Sequence, residues 1–103
     1  MTSVSIRNIL QMVALDSHIS IKKMISPATD QPIVDARNAT MWLARQIKYT
    51  LSEIGHAFGG RDDATVQNAI DSIDRLIETD PRLVRWLHTF DAVVTEREPP
   101  DAP

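Results

Sequence analysis

Cysteine is absent from the 103-residue sequence, and this absence excludes several classes of function at once. Without cysteine the chain can have no disulfide framework, no thiolate metal site and no cysteine nucleophile. The absence agrees with a reducing compartment, and we expect a cytoplasmic protein. Glycine is also scarce, with three residues, whereas 43% of the residues are hydrophobic. This length and composition predict one small domain around a single core.

Long apolar runs are missing as well. No run approaches the roughly 18–20 residues that span a bilayer, so we expect no membrane segment. The first residues, MTSVSIRNILQMVALDSH, lack a basic leader region, and Arg7, Asn8 and Gln11 interrupt their apolar residues. We therefore expect no signal peptide.

Positive charge is in short supply and unevenly distributed. The formal net charge is −3. Up to Arg61, seven basic residues outnumber four acidic ones, whereas beyond Arg61 four arginines face ten acidic residues. A nucleic-acid-binding domain usually carries a net basic surface. The sequence therefore predicts at most a basic patch, in the first part of the chain.

Apolar residues recur at helical spacing through most of the chain, and no segment alternates as a strand would. We predict a first helix that is capped by Thr2 or Ser3, a short second helix over 20–25, and a loop over 26–32. Asp35 is expected to cap a third helix that ends near Lys48. The residues predicted to face inward from the first and third helices are Ile6, Ile9, Leu10, Val13, Ala39, Trp42, Leu43 and Ile47.

Three further helices are predicted in the second part of the chain. The fourth covers 51–58, with Thr50 as its cap and Glu53 as capping-box partner, and it ends at the left-handed pair Gly59 and Gly60. The fifth starts at Asp62 or Asp63, and the sixth has Pro81 at its first position. The expected apolar residues of these two helices are Val66, Ile70, Ile73, Ile77, Leu83, Val84, Trp86, Leu87 and Phe90. We expect residues 1–95 to form one all-α domain of about six helices and residues 96–103 to form a disordered tail.

The apolar residues of the sixth predicted helix lie on more than one of its faces. They can belong to the core, or they can form a homodimer surface.

Catalytic and metal-binding patterns are not found. His18, His56 and His88 lie in different elements without ligand spacing, so we expect no metal or other cofactor. The pairs Asp62–Asp63 and Asp71–Asp74 fit solvated helix faces better than acid–base catalysis, since nothing predicts a cleft that would shift their pKa values. We therefore expect a protein that is not an enzyme.

Two helices joined by a short glycine turn predict a helix-turn-helix, or a helix pair of an ordinary bundle. The stretch SEIGHAFGGRDDATVQNAI resembles the signature of the C-terminal DNA-binding domain of the bacterial chromosomal replication initiator, DnaA. That family reads IGxxFGGRDH, then serine or threonine, then TVxxA. The residues that match it here are Ile54, Gly55, Phe58, Gly59, Gly60, Arg61, Asp62, Thr65, Val66 and Ala69. Upstream, ARNATMWLAR and ILQMVALDSHISIKKMIS also resemble helices of that family, so the likeness covers nearly the whole chain. The implied fold is the all-helical domain of that family. No GxxxxGKS or GxxxxGKT loop accompanies it, so the initiator's ATPase module has no counterpart in this sequence.

The resemblance implies contacts with double-stranded DNA. In the family, the arginine of the GGRD motif and the residues after it face the major groove, and a basic loop reaches the minor groove. Asp62 is expected to cap the fifth helix. The DNA-binding residues that the resemblance and the position of the turn imply are Arg37, Lys48, Arg61, Asp63, Ala64, Thr65 and Asn68.

Two departures from the family affect the expected recognition. Asp63 and Ala64 stand where the family has histidine followed by serine or threonine, and SPATDQPIVD replaces the basic loop. The segment before the fourth helix is also about one residue shorter than usual. Asp63 can accept a hydrogen bond from cytosine N4, or it can simply repel phosphate. We expect a stand-alone DNA-binding protein of replication control or transcription regulation, with altered or weakened recognition. The alternative is a degenerate domain that binds a protein of the replication machinery through its acidic second half.

Overall fold

The computed structural model describes residues 4–90, and within this range the chain contains six helices and no strand. They are α1 (Ile6–Ser17), α2 (Ile21–Ile25), α3 (Gln31–Gln46), α4 (Leu51–Ala57), α5 (Asp63–Ile77) and α6 (Pro81–His88). The predicted all-α class with a helix-turn-helix is confirmed. None of these helices has the length and apolar character that crossing a bilayer requires. The predicted domain boundary at residue 95 and the predicted tail over 96–103 lie outside the described residues.

Most of the helices begin at a polar side chain that accepts a hydrogen bond from a backbone N–H of the first turn. This bond satisfies a donor that the helix itself leaves unpaired. Thr50 and Glu53 form the predicted capping box, in which Thr50 Oγ1 accepts from Glu53 N at 3.0 Å and Glu53 Oε1 accepts from Thr50 N at 2.8 Å. The other capping residues are Ser5, Ser20, Asp62 and Asp80. The expectation of Thr2 or Ser3 as the cap of α1 was wrong, because Ser5 occupies that position.

The third helix begins five residues earlier than the sequence analysis predicted, with Asp30 instead of Asp35 at the cap position. It starts at Gln31, so Asp35 lies inside the helix, where it accepts a hydrogen bond from Gln31 Nε2 at 2.7 Å. Pro32 lies in the first turn of the helix. Proline is tolerated there because the N–H that it lacks would have no partner within the helix. The connection between α2 and α3 is therefore limited to residues 26–30.

The core is arranged around α3, which packs against α1, α2, α4 and α5. The predicted inward residues Ala39, Leu43 and Ile47 are buried. Trp42 is an exception, because it is only half-buried at the edge of the core. Its indole Nε1 donates to Asp74 Oδ1 at 2.8 Å, which ties α3 to α5 at the surface.

The apolar residues of α6, together with Phe90 just after it, point mostly into the core. Leu87 and Phe90 are buried, and Leu83 and Trp86 pack against the core from its edge. Trp86 makes an edge-to-face contact with Phe90, with ring centroids 5.3 Å apart, and its Nε1 donates to Asp16 of α1. In the described part of the chain, the large hydrophobic side chains classed as exposed lie on α1 and α5, at Leu15 and Leu76. Most of these side chains thus belong to the core, and the homodimer surface stays a prediction.

The corner between α4 and α5 depends on the backbone of Gly55. Its carbonyl oxygen accepts hydrogen bonds from the N–H groups of Phe58, Gly60 and Arg61 at 3.0–3.1 Å. A Cβ atom at Gly55 would lie 2.1 Å from the carbonyl oxygen of Arg61. Gly59 and Gly60 have φ angles of 81° and 86°, so the predicted left-handed pair is confirmed. The chain thus turns back on α4 so closely that position 55 has no room for a side chain.

We predict that Gly55→Ala destabilises the protein by about 3 kcal/mol or more, because the added methyl group meets backbone that cannot move independently. Without this close approach, the same change inside a helix would stabilise it by about 1 kcal/mol. Gly60→Ala is the matched control, since nothing lies within 4 Å of its Cβ position. It should lose only about 1–2 kcal/mol, the cost of the left-handed conformation. Urea denaturation measures both changes, and equal losses would contradict this account of the corner.

Candidate nucleic-acid interface

The first two turns of α5 present polar side chains to the solvent. Val66 and Ile70 hold the helix against the core. The predicted contact residues Asp63, Ala64, Thr65 and Asn68 are all exposed. The second helix of a helix-turn-helix has to offer this end to the DNA major groove. The four residues are thus exposed, and their contact with DNA stays a prediction.

Gln67 shares this exposed surface, and the sequence analysis missed it. The side chain is exposed, and its Nε2 donates to Asp71 Oδ1 at 2.8 Å. Its position in the sequence, between the core residues Val66 and Ile70 and next to Asn68, could have indicated that it is exposed. Glutamine can read adenine with its amide group, so Gln67 belongs in the candidate interface.

Asp62 is occupied by its role as the cap of α5. Its Oδ1 accepts the backbone N–H of Thr65 at 2.8 Å. Hydrogen bonding from Thr65, through its side chain first and its backbone N–H second, lowers the pKa of Asp62 below the usual value. The carboxylate is therefore ionised at neutral pH, and it places a negative charge at the start of the helix.

Arg61 connects the turn to the end of α2. Its Nη2 donates to Ser26 O at 2.7 Å and to Ile25 O at 3.4 Å, and its Nε donates to Phe58 O at 3.2 Å. The side chain is half-buried. Cations are stabilised at the C-terminal end of a helix, where carbonyl oxygens lack partners. Arg61 thus has a structural role in addition to its position beside the interface.

Arg37 does not lie on the interface, so we remove it from the predicted DNA-binding set. It is 5% exposed. Its Nε donates to Met24 O at 2.7 Å, and its Nη2 donates to Ser26 O and Ala28 O at 2.8 Å each. Burial, followed by the nearby charge of Arg61, lowers the pKa of Arg37. An arginine nevertheless stays protonated in proteins. Arg37 serves the connection between α2 and α3, which would otherwise bury unpaired carbonyl oxygens.

Lys48 is exposed between α3 and α4, and its backbone is left-handed with a φ of 78°. Its N–H donates to Arg45 O at 3.0 Å at the end of α3. Its side chain carries a positive charge just before the helix-turn-helix. Lys48 therefore stays among the candidate phosphate contacts.

Residues 6–73 match the sequence model of the family described as the bacterial DnaA protein helix-turn-helix. The chain belongs to this family. The matched range runs from the start of α1 to Ile73 of α5, so it contains the complete corner and ends before α6.

Proteins named chromosomal replication initiator protein DnaA are similar to this chain over most of its length. The protein of Oenococcus oeni is 35% identical over 95 residues, which is 91% of this chain and 21% of the relative. The protein of Cereibacter sphaeroides is 37% identical over 81 residues, or 78% of this chain and 18% of the relative. The protein of Dechloromonas aromatica is 36% identical over 89 residues, or 85% of this chain and 19% of the relative. The chain thus spans about a fifth of the length of these curated relatives, and the resemblance stated from the signature is confirmed.

We predict that Arg37→Leu destabilises the protein by about 2–4 kcal/mol, because it leaves the carbonyl oxygens of Met24 and Ala28 without this donor. Arg45→Leu is the matched control. Arg45 is exposed and donates to Tyr49 O at 2.8 Å, so its loss should cost less than about 1 kcal/mol. Chemical denaturation of both variants decides the point. A loss at Arg37 no larger than the loss at Arg45 would refute the structural role of Arg37.

Proposed function

We propose that the protein binds double-stranded DNA through the first two turns of α5, and that it acts in replication control or transcription regulation. The observation that carries the proposal is the exposed polar surface of α5 in a helix-turn-helix of the DnaA family. In such a corner the second helix enters the major groove while the first crosses the DNA backbone. The buried side of α5 keeps the exposed residues in a fixed orientation.

Recognition in this protein differs from that of the family signature. Asp63 replaces histidine at an exposed position of the first turn, where its carboxylate is an acceptor for cytosine N4. Ala64 replaces serine or threonine, which removes a donor but leaves a methyl group that can contact the methyl group of thymine. We therefore propose that the protein reads DNA sites of its own in preference to the sites of the initiator.

Affinity for phosphate is expected to be modest. The connection over residues 26–30 contains no lysine or arginine, in contrast to the basic loop of the family. Arg37 is buried and Arg61 is partly engaged with carbonyl oxygens. A protein with few phosphate contacts has a weak dependence on salt, because binding releases few counterions from the DNA.

We predict that the protein binds duplex DNA at low salt with a shallow salt dependence. Each neutralised phosphate contributes roughly 0.9 to the slope of log K against log salt, so the slope should be on the order of 2–4. Fluorescence anisotropy measures this with two labelled duplexes, one carrying a site of the initiator and one of random sequence. Absence of binding to both at low salt would refute the proposal and leave the alternative, a protein-interaction module of the replication machinery.

A second prediction concerns recognition by the start of α5. Asp63→His combined with Ala64→Thr restores the family signature and should increase affinity for the initiator's site by about 5-fold or more, through about 1–3 kcal/mol of new base contacts. Asp63→Ala should loosen sequence preference at one base pair while total affinity changes little. Glu78→His is the control. It makes the same change of charge at the other end of α5, roughly 20 Å away by the helical rise. An equal gain from Glu78→His would show that charge alone, and not base contact, explains the effect.

A further inference from the structure

Two adjacent lysines on α2 have no role in the function described so far. Lys22 and Lys23 are exposed, whereas Met24 of the same short helix is fully buried and Ile21 and Ile25 pack against the core. The apolar residues hold α2 in place and leave the two ammonium groups to the solvent. Neither lysine side chain makes a hydrogen bond within the described part of the protein.

The end of α2 is in direct contact with the helix-turn-helix. Arg61 of the turn donates to the carbonyl oxygens of Ile25 and Ser26. A Cβ atom at Gly59 would lie 3.5 Å from Cγ2 of Ile25, which is an ordinary van der Waals distance. The turn and the end of α2 therefore lie next to each other.

The two lysines lie within one helical turn of this contact. Ser26 N donates to Lys22 O at 3.1 Å and to Lys23 O at 3.2 Å. Asp63 follows Arg61 by only two residues, so at most about 7 Å of extended chain separates their Cα atoms. These hydrogen bonds join the helix that carries Lys22 and Lys23 to the turn that precedes α5.

Charge favours a phosphate backbone as the ligand of this pair. Asp62 and Asp63 make the start of α5 acidic and repel phosphate, and residues 26–30 include Asp30 but no basic residue. Lys22 and Lys23 put two positive charges on the neighbouring element. A DNA major groove is about 12 Å wide, so a helix inserted in it has phosphates on both sides within reach of adjoining elements.

We propose that Lys22 and Lys23 form a phosphate-binding pair that holds the DNA backbone beside the groove entered by α5. This inference rests on the proposed DNA-binding function. The connection between α2 and α3 has no basic residue to neutralise phosphate, and the two lysines provide this neutralisation instead. Its contacts are with the backbone, so it contributes affinity without sequence preference.

The test compares two double variants that remove the same charge. Lys22→Ala with Lys23→Ala should lower the salt slope by about 1–2 and weaken binding about 10- to 100-fold, equally on both duplexes. Arg82→Ala with Arg85→Ala is the control. These residues are exposed on α6, which follows the far end of α5. The control should change the slope by less than about 0.5. Lys22→Arg with Lys23→Arg should keep the slope of the original protein, since the charges remain.

Each outcome has a defined meaning. A wild-type slope in the α2 alanine variant overturns the phosphate pair while leaving the proposed DNA binding intact. An equal decrease in the α6 control also overturns it, because the effect would then come from total charge. If the unaltered protein binds neither duplex, the proposed function fails and the pair fails with it. Circular dichroism melts of all variants, expected within a few degrees of one another, separate loss of binding from loss of folding.

Discussion

The close approach of Gly55 to the carbonyl of Arg61 is the constraint on which the rest of the site depends. Three N–H groups of the turn converge on the Gly55 carbonyl oxygen, so the chain must reverse within a few residues. Such a reversal requires left-handed backbone at Gly59 and Gly60. The reversal places Arg61 in contact with the end of α2 and Asp62 at the cap position of α5. The direction of α5, and with it the surface offered to a ligand, follows from one position without a side chain.

The end of α2 brings two arginines together that the sequence alone suggested for DNA. Arg37 and Arg61 both donate to Ser26 O, so a single carbonyl oxygen links α3, the turn and α2. The two positive charges repel each other, and the charge of Arg61 lowers the pKa of Arg37 in addition to the effect of burial. The unpaired carbonyl oxygens at the end of α2 offset that repulsion, because they are the negative end of the helix. Both guanidinium groups thus stabilise the contact between α2, α3 and the turn, and in the proposed function other residues provide most of the phosphate contacts.

Local signals in the sequence were sufficient for most of the fold and for the position of the corner. Capping residues and glycines act through neighbouring backbone, so Thr50, Gly59 and Pro81 could be interpreted without knowledge of the tertiary structure. The predicted start of α3 was wrong, because Pro32 is compatible both with a loop and with the first turn of a helix. The burial of Arg37 could not be predicted either, since helical periodicity does not show which carbonyl oxygens another element directs toward a side chain. Gly55 was recognised only as part of the signature, because its contact with Arg61 is tertiary.

A net charge of −3 does not conflict with binding to a polyanion, because phosphate responds to nearby charge. At physiological ionic strength the Debye length is about 8 Å, so exposed charges farther away are largely screened. The acidic residues near the end of α5, such as Glu78, lie beyond that distance from its first turn. Asp62 and Asp63 lie at the start of α5 and are unfavourable charges, and Asp62 is already engaged with Thr65. A lysine that contacts phosphate directly also releases condensed counterions, a gain that a more distant carboxylate does not cancel. In the proposed complex, the separation of negative charge on α5 from positive charge on α2 would therefore allow base reading and backbone binding to occur on different elements.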